Sequence, residues 1–314
     1  MYYIDMHCDT ITRLLKDADQ GKSSSLREND LHIDLNRMKQ ANYLLQNFAV
    51  FTPFGHVDDP MEFALRAIDK YYEEIDGNKD IIRPVYCYDD IEKNRKDGFM
   101  NAMLTLEEGA VVHNDLRILR DFYRLGVRMI TLTWNDEDRG DMLRHINETD
   151  GLTPFGREYV KECNRLGIIV DVSHLGDKGF WDVIALSTKP IVASHSNARS
   201  VCGVARNMSD EMILALHKNG GVMGMNYCED FVSDDSDGSV ANIVKHMNHI
   251  RDLGCIDNIG LGSDFDGIST RKEMEECSKM YLLCDALEKE GYTEEEIEKI
   301  CYRNVLRVYE AVLK

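Results

Sequence analysis

The chain has 314 residues, 43% hydrophobic and 30% charged, enough to bury a full core and ordinary for one α/β barrel with decorated loops. Its 56 acids against 37 bases give a net charge of −19, which repels phosphate backbones and anionic lipid and argues against nucleic acid or a membrane as partner. Nine cysteines, scattered singly with no CxxC pair, read as free thiols in a reducing cytoplasm.

Strand-forming residues begin at once, in YYIDMH (2–7), which ends at His7 with Asp9 two places on. They occupy the place of a secretory leader, and the chain ends in EAVLK, so neither a leader nor an anchor tail is expected. No apolar run approaches the ~18–20 residues of a membrane span, so a soluble cytoplasmic protein is expected. The polar stretch DADQGKSSSLREND (17–30) is expected to pass over the barrel mouth, and its GKS lacks the upstream glycine of a phosphate loop. His32 and Asp34 repeat the His-x-Asp spacing, but Asp34 precedes the helix-like DLNRMKQAN and reads as its N-cap.

Apolar runs near 44–51 and 101–107 flank the helical MEFALRAIDKYYEE (61–74), and the second run ends in Glu107 and Glu108. Strand alternation lets only one of these two face a barrel axis, and their apolar neighbours do not settle which. After the helical DLRILRDFYRL (115–125), a recurring device appears: a helix ending in glycine, followed at once by a strand. It occurs in RLGVRMITLTW (124–134), RLGIIVDVSH (165–174), NGGVMGMNY (219–227) and, more loosely, LGCIDNIGLGSDFD (253–266). Thr153 is the expected cap of the helix before Gly167, with Pro154 in its first turn. PIVASH (190–195) adds another strand, SVANIVKHMNHIRDL (239–253) a helix, and VSDDSDGSV (232–240) a solvated turn lacking the closing glutamate of a calcium loop. The end, TEEEIEKICYRNVLRVYEAVLK (293–314), reads as one or two amphipathic helices covering the barrel.

Strands are thus expected near 2–8, 44–51, 101–107, 128–133, 168–173, 190–194, 221–226 and 259–263, with helices between them. Eightfold strand–helix alternation predicts a parallel (β/α)₈ barrel of the TIM type in one domain spanning 1–314; an open doubly wound sheet is the competing architecture.

Catalytic residues of such barrels sit at the C-terminal ends of strands. His7, Asp9, Glu107, His174, His195 and Asp264 each follow an apolar run by no more than two residues. Mixed imidazole and carboxylate suit zinc or a similar divalent ion and imply metal-activated water. A single histidine at a strand end is ordinarily a hydrogen-bonded structural residue. His174 and His195, however, lie 21 residues apart, one strand–helix–strand step, and close two strands alike. His113, His145, His217, His246 and His249 lack that context and are expected in surface or helix roles.

DMHCDT (5–10), TLEEGA (105–110), GIIVDVSH (167–174), SHSNAR (194–199) and GSDFDG (262–267) together resemble the renal (membrane) dipeptidase family of metallopeptidases. LTPFGREYVKECNRLG (152–167), VCGVARNM (201–208) and RNVLRVYEAV (303–312) extend the resemblance over nearly the entire chain, in order. The resemblance implies an amidohydrolase-like (β/α)₈ barrel, a soluble microbial-type member of the family, and a dinuclear zinc dipeptidase tolerant of many side chains, including a C-terminal D-residue. It assigns one zinc to His7 and Asp9, the other to His174 and His195, and the bridge to Glu107, with Glu108 in the place of a following glycine. Asp264 matches the catalytic carboxylate, and Arg206 the arginine that binds the carboxylate of a dipeptide. Mammalian members carry a histidine after LTLT, where this chain has Trp134 and then Asn135; Trp134 and Asn135 are therefore expected at the substrate, with Asn135 or His145 supplying the polar contact. A homodimer is also implied. Two rival readings are a metal-dependent hydrolase of another amide, such as an N-acyl amino acid, and a catalytically silent peptide-binding barrel.

Overall fold

The computed structural model describes residues 1–135, 147–148, 151–269 and 273–314. Its strands are β1 (Tyr3–Asp5), β2 (Tyr43–Phe51), β3 (Ile82–Pro84), β4 (Met100–Glu107), β5 (Val127–Thr131), β6 (Asn147–Glu148), β7 (Gly151–Leu152), β8 (Ile169–Asp171), β9 (Val192–Ala193), β10 (Val222–Met225) and β11 (Ile259–Leu261). Eight of them pair in parallel in the order β2-β1-β11-β10-β9-β8-β5-β4, and β4 returns to β2 from Leu45↔Asn101 to Phe51↔Glu107, closing the barrel. All eight expected strands are present in it, and the open sheet is ruled out. β3 adds outside the barrel, against the first residues of β4 (Ile82↔Met100 to Pro84↔Ala102), before β4 meets β5 at Leu104↔Val127. β6 and β7 form a short antiparallel pair apart from the barrel.

β2 and β4 read as continuous apolar runs because both of their faces are covered, and every residue of β4 is buried. Several of their polar side chains are satisfied inside, although the Tyr43 hydroxyl and Gln46 Oε1 have no partner among the described residues: Asn101 donates to the Leu44 carbonyl at 3.0 Å, and the Tyr309 hydroxyl donates to Asn47 Oδ1 at 3.0 Å. That last bond ties the C-terminal helix Asn304–Val312 to the barrel wall, as the amphipathic pattern of the chain end implied.

Local sequence sets the element ends. Thr153 Oγ1 accepts from the Gly156 amide at 3.0 Å, Pro154 opens the helix Pro154–Leu166, and Gly167 ends it at φ 84°, where β8 begins two residues on. Asp34 caps the helix Leu35–Gln40 through the Arg37 amide at 2.8 Å. The segment 17–30 departs from expectation. Leu26 is buried with its amide on Glu74, and Arg27 reaches Asp80 just ahead of β3. That stretch therefore lies along the flank of the helix Pro60–Gly77 toward the strand N-termini, because Leu26 finds an apolar seat there and its flanking polar groups find partners.

Candidate metal centre

The strand ends converge at the C-terminal mouth. Glu107 ends β4, and its two carboxylate oxygens face different histidines: Oε2 lies 3.3 Å from His7 Nε2, while Oε1 lies 3.3 Å from His174 Nε2 and 3.6 Å from His195 Nε2. His7 Nε2 is also 3.4 Å from Asp9 Oδ2 and 3.8 Å from Asp264 Oδ1. His7 and His195 are fully buried, and Glu107 is 3% exposed. Glu108 turns away. At φ 98° it leaves the strand, and its carboxylate accepts from the backbone amides of Ala110 (3.1 Å) and Trp134 (3.0 Å). Strand alternation does not distinguish the two glutamates, because the strand ends between them.

Two aspartates brace the histidines in the same way. Asp171 Oδ1 accepts from the amides of Ser173 (3.0 Å) and Ser194 (2.8 Å), and its Oδ2 accepts from the hydroxyls of Ser194 (2.6 Å) and Thr131 (2.6 Å). Across the barrel, Asp5 Oδ1 accepts from the amides of His7 (3.2 Å) and Ser263 (2.9 Å), and its Oδ2 from the Ser263 hydroxyl (2.6 Å). Each clamp therefore stitches one strand end of the site to the next, His174 to His195 and His7 to Asp264. Sequence reasoning missed both, although an aspartate two or three places before a strand-end histidine, in IDMH and VDVSH, was the available signal. Close packing adds to the constraint. A Cβ on Gly262 or Gly224 would stand 1.7 or 2.0 Å from the Ser194 carbonyl oxygen, so only glycine lets β9 approach β10 and the end of β11 here. His174 (φ 66°) and Asp264 (φ 63°) hold left-handed backbone, a local cost of about 1–3 kcal/mol each, sustained by this surrounding network.

The hydrogen bonds also fix the imidazole tautomers. The Ser194 hydroxyl spends its proton on Asp171, so it accepts from His195 Nδ1–H at 2.7 Å. Asn135 Oδ1 likewise accepts from His174 Nδ1–H at 2.8 Å. Both Nε2 lone pairs then point into one space, 2.9 Å apart. Two facing lone pairs repel unless a cation takes them. Burial, followed by the charge of Arg206, pushes the His174 pKa down to about 4, and burial with the charge of His7 holds His195 well below its ordinary value, so both stay in the neutral, metal-binding form. On the other side, His7 Nδ1 and Nε2 and Asp9 Oδ1 are buried without a hydrogen-bond partner among the described residues. Burial disfavours charge on His7, yet the carboxylates of Glu107 and Asp9 outweigh it and hold its pKa well above the usual range. Burial, joined by Asp9 and Glu107 against the opposing charge of His7, raises Asp264 to about 7. The donor set of three imidazoles and three carboxylates, with orphaned donors and opposed lone pairs, fits divalent cations, and three-ligand groups form around His7–Asp9–Glu107 and Glu107–His174–His195.

Two cavities meet at this centre and share the wall of Trp134, Asn135 and His174. The wider, about 500 Å³, is lined by Val172, Leu175, Phe180, Met208 and Met212 together with Arg206. Arg206 donates to Ser196 Oγ (2.7 Å) and the His195 carbonyl (2.8 Å), while its buried Nε has no partner among the described residues. The narrower, about 240 Å³, holds Asp9, Glu107 and Asp264. Trp134 stacks at a tilt on Phe51, centroids 4.8 Å apart, and lies 6.0 Å from the His174 ring. His145 lies outside the described residues. Of the other histidines, His113 and His217 are exposed, His249 pairs with Asp210, and buried His246 bonds the Ala198 amide and the Val232 carbonyl.

A parallel barrel with imidazoles and carboxylates gathered at its C-terminal mouth defines a metal-dependent hydrolase. The chain belongs to the membrane dipeptidase family, peptidase family M19, whose model matches residues 1–314. It is 36% identical over 283 residues to the uncharacterized dipeptidase C965.12 of Schizosaccharomyces pombe, covering 86% of this chain and 66% of that protein. It is 34% identical over 233 residues to an uncharacterized protein in the pqqA 5' region of Klebsiella pneumoniae, covering 71% of this chain and 86% of that one. Among solved structures it is similar to a metallopeptidase from Rhodobacter sphaeroides liganded with a phosphinate mimic of the dipeptide L-Ala-D-Ala (26% identity, TM-score 0.89, 99% of both chains). It is also similar to the dipeptidase AC, a metallopeptidase of family M19 (27% identity, TM-score 0.90, 100% of this chain and 99% of that one). The protein is a metallo-dipeptidase, a hydrolase of peptide bonds. No helix among the described residues is long and apolar enough to cross a membrane.

Proposed function

We propose that this chain is a dinuclear zinc dipeptidase of broad side-chain tolerance that accepts a D-residue at the C-terminal position. The observation that carries the reading is the division of Glu107, one oxygen toward His7 and the other toward His174 and His195. His7 and Asp9 would hold one zinc, His174 and His195 the other, and Glu107 both. Two bound zinc ions supply Lewis acidity and make water a nucleophile at neutral pH.

The chain's own groups do the rest. Arg206 has five N–H donors and spends two on Ser196 and the His195 carbonyl, so Nε and one hydrogen on each Nη remain for the terminal carboxylate of a dipeptide. Carboxylate capture there orients the scissile carbonyl over Glu107 and limits the substrate to two residues. The C-terminal side chain enters the wider cavity, where Met208 and Met212 adapt to differing shapes and chirality at the α-carbon. Asn226 holds Asp264 Oδ2 at 3.0 Å, leaving Oδ1 toward the site to take a proton from the attacking water and return it to the leaving amine. The Rhodobacter sphaeroides relative, solved with a mimic of L-Ala-D-Ala, supports the D-residue part of the reading.

The test is zinc content together with hydrolysis of a panel including L-Ala-L-Ala, L-Ala-D-Ala and N-acetyl-alanine. Two zinc ions per chain and cleavage of both dipeptides are expected. Zinc-replete protein that cleaves neither dipeptide sinks the reading. If Arg206→Ala leaves KM on the best substrate unchanged, carboxylate recognition fails; cleavage of N-acetyl-alanine in preference to both dipeptides would put the N-acyl amino acid reading in its place.

A further inference from the structure

The narrower cavity carries two cations that the reaction above leaves unused. The helix Thr10–Asp19 starts immediately after Asp9 and lines this cavity with Thr12, Arg13 and Lys16, while Ile11, Leu14 and Leu15 face the core. Positions 9, 12, 13 and 16 share one helix face, so the sequence that supplies Asp9 also places Arg13 and Lys16 beside it. Both are exposed, and among the described residues neither is paired with a carboxylate. In a chain of net charge −19, two cations without a carboxylate partner among the described residues stand out on the wall of a small cavity that also holds Asp9, Glu107, Asp264 and Asp266.

The other charges facing that space are accounted for. Asp9 and Glu107 would hold the metal ions on the dipeptidase reading, and Asp264 is held by Asn226. Asp266 accepts from the Thr10 hydroxyl (2.5 Å) and the His32 amide (2.7 Å). Arg206 lines only the wider cavity of the two. With the substrate carboxylate at Arg206 and the scissile carbonyl over Glu107, the amino-terminal side chain falls into the narrower cavity. There Phe51 and Ile268 offer apolar wall for an aliphatic stem, and Arg13 and Lys16 offer charge at its tip.

We propose that Arg13 and Lys16 select dipeptides whose amino-terminal residue is acidic, aspartyl or glutamyl. This rests on the dipeptidase reading and on its orientation of substrate by Arg206. The experiment compares kcat/KM for L-Glu-L-Ala, its neutral isostere L-Gln-L-Ala and L-Lys-L-Ala, using zinc-loaded wild type and the Arg13→Ala/Lys16→Ala and Arg13→Glu/Lys16→Glu double variants. Wild type should favour Glu-Ala over Gln-Ala by about 2- to 30-fold at low ionic strength, as expected for two exposed ion pairs, and the ratio should shrink with added salt. The ratio should fall to about 1 in the alanine variant, and Lys-Ala should overtake Glu-Ala in the glutamate variant. Unchanged zinc content and thermal midpoint in both variants separate specificity from folding. Equal hydrolysis of Glu-Ala and Gln-Ala by wild type, or a preference that survives the alanine variant, overturns this inference alone. No hydrolysis of any of the three overturns it alone if L-Ala-L-Ala or L-Ala-D-Ala is still cleaved, and together with the dipeptidase reading if neither is.

Discussion

Replacing Ser194 by alanine should weaken zinc binding without touching a proposed ligand. In the native site the Ser194 hydroxyl gives its proton to Asp171 at 2.6 Å and accepts from His195 Nδ1–H at 2.7 Å. Ser194→Ala removes both bonds, and Asp171 keeps its contacts with Thr131, Ser173 and the Ser194 amide. One lost charge-assisted bond and one orphaned buried N–H together cost about 2–4 kcal/mol. For a chain of this size that lowers the thermal midpoint by roughly 3–6 °C. The larger consequence is electronic: His195 can relocate its proton to Nε2, turning a lone pair into a donor on the metal side. Outer partners of ligating histidines typically carry about 10–100-fold in metal affinity, so a loss of that order is expected here. Zinc titration of metal-free protein against a competing chromophoric chelator, well below the unfolding midpoint, reads it directly. A second-zinc affinity within twofold of wild type would refute the idea that Ser194 sets the tautomer of His195.

The two neighbouring glutamates should separate cleanly. Glu107→Gln is expected to lose at least about 100-fold in zinc affinity, whereas Glu108→Gln should keep both ions and lower stability by about 1–3 kcal/mol, because Glu108 holds backbone amides; metal analysis and urea denaturation decide, and the reverse pattern would overturn the assignment. Asp264→Asn should retain zinc stoichiometry while kcat falls about 10²–10⁴-fold, and full activity would remove Asp264 from proton transfer. His246→Leu strands the Ala198 amide and the Val232 carbonyl and should cost about 2–5 kcal/mol with metal content per folded chain intact; loss of zinc from the folded variant would contradict a purely structural histidine. Chelation should lower the thermal midpoint: zinc at a hundred times its dissociation constant adds about 2.7 kcal/mol, and a midpoint indifferent to zinc would mean that the site is not formed by folding.

Much of this was visible in the chain itself. His7, His174 and His195 stood out because each closes a short apolar run, and a buried parallel strand leaves little else for such a run to be. Gly167 and Thr153 marked their helix because cap chemistry is local. What escaped depended on contacts between segments far apart in sequence. β3 is three residues long, ends in Pro84 and pairs on one side only, so it has no period to detect. Asp5 and Asp171 are the last residues of β1 and β8, each inside an apolar run of the sequence, where a lone polar residue looks like an interruption until the facing serine is known. The choice between Glu107 and Glu108 turned on one backbone angle, φ 98° at Glu108, which no alternation rule contains. Arg13 and Lys16 looked like the solvent face of an ordinary amphipathic helix.

The two aspartate–serine clamps have unequal reach, and this sets an order of assembly. Asp171 and Ser194 are 23 residues apart, whereas Asp5 and Ser263 are 258 apart. Closing the first is a local event, available as soon as one strand–helix–strand unit has left the ribosome. The second waits for the last barrel strand to return to the first. A growing chain can therefore brace His174 and His195 early, while His7 stays unbraced until nearly all of the protein exists. The half-built mouth offers one pair of histidines with its partner wall missing, and the division of Glu107 between the two histidine groups can be completed only when the barrel closes.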